Sequence, residues 1–112
     1  MDFDMGLIKI TDRDVWGCSR GLLHVVLDYV AGRADGTPFA RDLKASVEFN
    51  DSSFYFDEID NVQKQIFLDG VSSLIKNWWT FRDKKDEYDK SAFESLNDLR
   101  ERLRSSIENG DV

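Results

Sequence analysis

The sequence predicts a mainly α, single-domain protein: a small bundle of amphipathic helices, with residues 47–56 as a short β-hairpin or an aromatic loop. Three observations carry that prediction. Apolar side chains recur every three or four residues over four stretches, the spacing that lines one face of a helix. Helix start signals stand at the heads of several of these stretches. The 112 residues are 41% hydrophobic and include eight Phe, three Trp and three Tyr. That is enough for one core without staples, and too apolar for a disordered chain.

Residues 1–10 read as an N-terminal arm or a short strand, because Phe3, Met5 and Leu7 alternate before the phase slips to Ile8 and Ile10. Thr11 is a candidate cap for a first helix with the stripe Val15, Cys18, Leu22, Val26 and Tyr29, widened by Leu23, Val25 and Val30. Gly17 and Gly21 each cost about 1 kcal/mol against alanine in a helix, which moves the firm start toward Ser19. Gly32 and Gly36 supply stop signals, with Arg33 near the negative end of the helix dipole. Thr37-Pro38 then opens a short helix through Phe39, Leu43 and Val47, since threonine accepts an orphan amide bond and proline tolerates the first helical position.

Within residues 47–56, two alternating aromatic-rich arms flank the turn formers Asn50, Asp51, Ser52 and Ser53, the pattern of a hairpin. Asp60 and Gln63 resemble a capping box. A stripe of Ile59, Val62, Ile66, Gly70, Leu74 and Trp78 continues from there, joined by Phe67, Val71 and Ile75, with Gly70 a candidate break between two helices. A solvated charged turn over residues 82–90 precedes Ser91-Ala92-Phe93-Glu94, a second capping-box pattern. The last helix carries Phe93, Leu96, Leu99, Leu103 and Ile107 on one side and alternating charges on the other, and stops at Asn109-Gly110.

Composition argues against several function classes. With 22 acidic against 15 basic residues, the chain has a net charge of −7 and would repel a nucleic acid rather than release its counterions. One cysteine cannot form an internal disulfide, and with one histidine it cannot complete a Cys/His zinc set. The acidic start Met1-Asp2-Phe3-Asp4 lacks the basic opening of a secretory signal, and the apolar run around residues 22–30 falls short of the ~20 residues of a membrane span. A cytoplasmic location is the expectation.

Catalytic chemistry is also not expected. Cys18 or Ser19 with His24 and Asp28 is the one nucleophile-and-base set to weigh. On a helix, however, Ser19 and His24 are five residues apart and out of phase, whereas His24 and Asp28 face each other. That reads as a histidine beside a carboxylate, and Cys18, on the apolar stripe, reads as core. Asp57, Glu58 and Asp60 lie close together but lack the spacing of a calcium loop, and no phosphate-binding glycine motif occurs. Neither a metal nor a cofactor is expected.

Charge by position is more informative than the total. Residues 48–60 hold five acids (Glu48, Asp51, Asp57, Glu58 and Asp60) and no base, so five of the seven excess negative charges sit in one short segment. Phe49, Phe54, Tyr55 and Phe56 are interleaved with them. Aromatic anchors ringed by carboxylates suit a surface that docks onto a basic protein; the alternative is a hairpin that buries two or three rings and leaves its acids in water. Trp78 and Trp79 point about 100° apart on a helix, so one should be partly exposed, either closing the core or anchoring a partner.

Size, acidity, the segment Phe49 to Asp60 and the following helix Val62-Gln63-Lys64-Gln65-Ile66-Phe67-Leu68-Asp69-Gly70 resemble the bacterial immunity proteins of contact-dependent growth inhibition and related polymorphic toxin systems. The resemblance implies a non-catalytic cytosolic protein, monomeric when free, that binds and neutralises a cognate basic toxin such as a nuclease. It implies Glu48, Asp51, Asp57, Glu58 and Asp60 as steering and pairing charges, with Phe54, Tyr55 and Trp79 as anchors. Two other readings remain open: an inhibitor that mimics nucleic acid, and a small helical adaptor or subunit of a permanent complex.

Overall fold

A computed structural model of the chain describes residues 5–80 and 82–109; Phe3 of the first expected alternation and Gly110 of the last stop signal lie outside them. The chain opens with an antiparallel hairpin, β1 (Met5–Thr11) and β2 (Asp14–Ser19). Then follow α1 (Arg20–Arg33), α2 (Pro38–Glu48), β3 (Ser53–Tyr55), a 3₁₀ turn (Phe56–Glu58), α3 (Asn61–Asn77), a second 3₁₀ turn (Trp78–Thr80) and α4 (Glu87–Glu108). The architecture is mainly α with a small three-stranded sheet, not a pure helical bundle.

The strand order is β2-β1-β3, and β3 runs parallel to β1 with Leu7 opposite Ser53 and Lys9 opposite Tyr55. The phase slip in the first residues resolves into one strand with two faces. Gly6, Ile8 and Ile10 point into the core, while Met5, Leu7 and Lys9 lie on the outer face. Gly6 is needed on the inner side, because a Cβ there would stand 3.0 Å from the Leu23 Cβ and 3.1 Å from the Arg20 backbone.

Several sequence expectations are corrected. Thr11 caps no helix: Val15 and Cys18 belong to β2, and α1 is capped by Ser19, whose Oγ accepts the Leu22 N–H at 3.1 Å. No hairpin forms at residues 47–56. Val47 and Glu48 finish α2, and the aromatic arm after the turn pairs with β1 instead. The reversal is made by Asn50, with φ 58 in the left-handed region that asparagine tolerates, while the Asp51 N–H returns to the Ser46 carbonyl at 2.9 Å.

Gly70 does not break α3. It sits at the crossing with α1, where an added Cβ would meet Val30 Cγ2 at 2.7 Å. Val62, placed on the stripe by its spacing, is 71% exposed. The last helix begins one turn before Ser91, capped by Asp86, whose carboxylate accepts the Tyr88 and Asp89 N–H groups. The charged turn ahead of it is therefore not wholly solvated. Asp89 is buried, faces Arg82 at 3.7 Å, and gives its carbonyl to the Trp78 indole N–H at 3.1 Å.

Helix α1 is the centre of the molecule, touching α2, α3 and the sheet. Its Leu23, Val26, Leu27 and Val30 are fully buried in one cluster that also holds Ile8 and Ile10 of β1, Phe67, Val71 and Leu74 of α3, and Leu96, Leu99 and Leu103 of α4. The hairpin is tied to α4 by polar links as well. The Trp16 indole donates to the Ser95 carbonyl at 3.0 Å, and Arg102 Nη1 reaches Asp14 Oδ1 at 2.6 Å. This frame leaves β3 at one edge of the sheet, carrying the aromatic and acidic segment.

Candidate functional site

The acidic segment is built by three local structures: the end of α2, the edge strand β3, and the 3₁₀ turn that leads to the head of α3. Because β3 alternates, its side chains divide. Phe54 faces inward, half-buried, with its ring stacked on Phe67 at 4.9 Å. Tyr55, on the outer face, is 46% exposed. Phe56 is fully buried and meets Phe67 edge to face at 5.7 Å. The aromatics therefore do not form one patch; two are drawn into the core, and Tyr55 remains at the surface.

The five acids divide in the same way. Asp57 is committed inside the molecule: it is 18% exposed and pairs with Lys9 at 3.4 Å. Hydrogen bonding to Asp12, the largest single cause, and hydrogen bonding and charge pairing with Asp57 hold the Lys9 ammonium above its usual range. Asp60 is exposed but caps α3, its carboxylate accepting the Gln63 N–H at 2.8 Å while the Gln63 side chain accepts the Asp60 N–H at 3.2 Å. Glu48, Asp51 and Glu58 are exposed. Asp51 and Glu58 share a groove of about 500 Å³ with Ser46, Phe54, Tyr55 and Ile59, which runs beside β3.

Trp79 lies away from this groove. It follows the 17-residue helix α3, whose length at 1.5 Å per residue puts it about 25 Å from Asp60. There it is half-buried against Phe93, ring centroids 5.3 Å apart, while Trp78 is fully buried. The tryptophan pair thus divides as the 100° step requires, but at the opposite end of α3 from the acids.

Two features of the surface lie outside the expected partner-binding residues. Phe49 is 79% exposed at the C-terminal cap of α2, a position visible only once α2 is known to end there. The free edge of β3 depends on a pairing with residues more than 40 positions earlier, for which the sequence carries no local signal.

The groups weighed for catalysis lie at the end of β2 and on α1. His24 Nε2 lies 2.8 Å from the Asp51 carbonyl oxygen, so the ring braces the turn after α2; its closest bond is to this backbone group and not to Asp28. Burial pushes the Cys18 thiol up to about 12. Among the described residues, no group of three or more His, Cys, Asp or Glu is placed to hold a metal ion. Nor is any described helix long and apolar enough to cross a membrane.

No protein-family model matches this chain, and no curated protein or solved structure is significantly similar to it.

Proposed function

We propose that the protein is a non-catalytic binding protein of the immunity type, which neutralises a basic toxin, such as a nuclease, by covering it with the surface around β3. The observation that carries this reading is the groove in which Asp51 and Glu58 stand beside Tyr55, in a segment of 13 residues without a single lysine or arginine. Free carboxylates steer a basic partner and speed encounter, while a partly exposed aromatic supplies contact that is desolvated on binding. Glu48 and Phe49, exposed at the end of α2, precede Asp51 by three and two residues.

Mimicry of nucleic acid fits less well. With Asp57 paired to Lys9 and Asp60 capping α3, the remaining carboxylates do not make a phosphate-like row.

The test compares the parent protein with the double variant Asp51→Lys/Glu58→Lys, both exposed positions, as bait for proteins of the native host. The expected result is a basic protein held by the parent and lost, or weakened at least roughly tenfold, with the variant at low salt, the gap narrowing at higher salt as the charges are screened. Expressed alone, that partner should arrest growth, and the parent, not the variant, should restore it. Capture of acidic proteins only, or equal rescue by the variant, would refute the proposal.

A further inference from the structure

Among the described residues, strand β3 lies at the end of the order β2-β1-β3 and pairs on one side only. Its parallel register with β1 decides which backbone groups are used. The Leu7 N–H donates to the Ser52 carbonyl at 2.9 Å, and Leu7 is opposite Ser53, so Leu7 bonds to the residues flanking Ser53 and Ser53 itself turns its N–H and C=O away from β1. By the same alternation the Tyr55 N–H points outward. These groups face the groove walled by Ser46, Asp51, Glu58 and Ile59.

An uncovered edge is a template for another strand, and proteins usually blunt it with lysine, proline or a covering element. Residues 53–55 carry none of these side chains. What flanks the edge is of one sign: Asp51 before it and Glu58 after it, both exposed. A second acidic strand would be repelled, which disfavours pairing between two copies of this chain, whereas a basic one is attracted.

We infer that the free edge of β3 receives an extended basic segment of the partner as a fourth strand, paired through Ser53 and the Tyr55 N–H, with its lysines or arginines against Asp51 and Glu58. The inference rests on the acidic surface being the binding surface and adds how the partner is held there. Backbone pairing supplies register, and the two carboxylates select the sign of the occupant.

The probe is a synthetic peptide of alternating lysine and valine, together with the same peptide N-methylated at every backbone nitrogen, which keeps its charges but removes its N–H donors. Amide NMR of the full protein at low salt should show the unmethylated peptide shifting the Ser53 and Tyr55 amides and slowing their hydrogen exchange. The methylated peptide should bind at least roughly tenfold more weakly. Equal binding of the two peptides overturns strand pairing while leaving the acidic surface as the binding surface. Binding of neither peptide, or shifts confined to the far end of α3 around Trp79, overturns both.

Discussion

Desolvation sets the chemistry of Cys18. Its thiol is pushed up to about 12 from an ordinary 9.0, so the nucleophilic thiolate is scarce at neutral pH. Alkylation by iodoacetamide near about pH 8 is expected to be at least roughly tenfold slower in the folded protein than in the urea-unfolded chain; equal rates would mean an activated cysteine. Since the folded thiol ionises at higher pH than the unfolded one, its contribution to stability is present below pH 9.0 and fades as pH rises toward 12. Cys18 is partly buried, but on β2 and not on the helical stripe that its spacing suggested. The split among the acids was not legible in the sequence. Asp57 and Glu58 are adjacent and alike in the chain, yet one pairs with Lys9 and the other faces the groove, because Lys9 arrives on a strand from the other end of the sequence.

Two helix heads formed as their local signals indicate, whereas the Ser91 box and the Thr11 cap did not. Thr37 caps α2 by accepting the Ala40 N–H, and Asp60 with Gln63 completes both bonds of its box; each interaction spans three residues, so no distant part of the chain can alter it. Gly70 misled for the opposite reason. Its helix-weakening propensity is real, but its function is contact. A methyl there would gain about 1 kcal/mol of helix propensity and lose about 1–3 kcal/mol to overpacking against Val30. Gly70→Ala is therefore expected to lower stability by about 1 kcal/mol in urea denaturation, and the Val30→Ala/Gly70→Ala pair should be less destabilised than the sum of the two single changes. A Gly70→Ala protein more stable than the parent would show that α1 and α3 do not pack closely there. The misplaced hairpin has a related cause. Alternation in residues 53–56 marked a strand correctly but could not name its partner, which is β1 and not the end of α2.

At the scale of the whole molecule, whose radius of gyration is 13.4 Å, one core cluster joins the sheet to the helices. Trp16 is anchored to α4 through Ser95, and Trp78 to the same helix through Asp89, so two buried tryptophans report on both layers. Urea unfolding is expected as one transition, with tryptophan fluorescence and far-ultraviolet circular dichroism superimposing; a separate earlier fluorescence change would mean that the hairpin opens independently. Periodicity, caps and net charge, all properties of neighbours along the chain, were sufficient to give the helical character, the cap of α2, the head of α3 and the concentration of acid in residues 48–60. Which strand β3 joins, which carboxylates stay free, and which aromatics remain outside were decided by contacts between residues far apart in sequence. Hydrogen-bond pairing across strands and burial in a shared core depend on who arrives from elsewhere, and no local pattern encodes that.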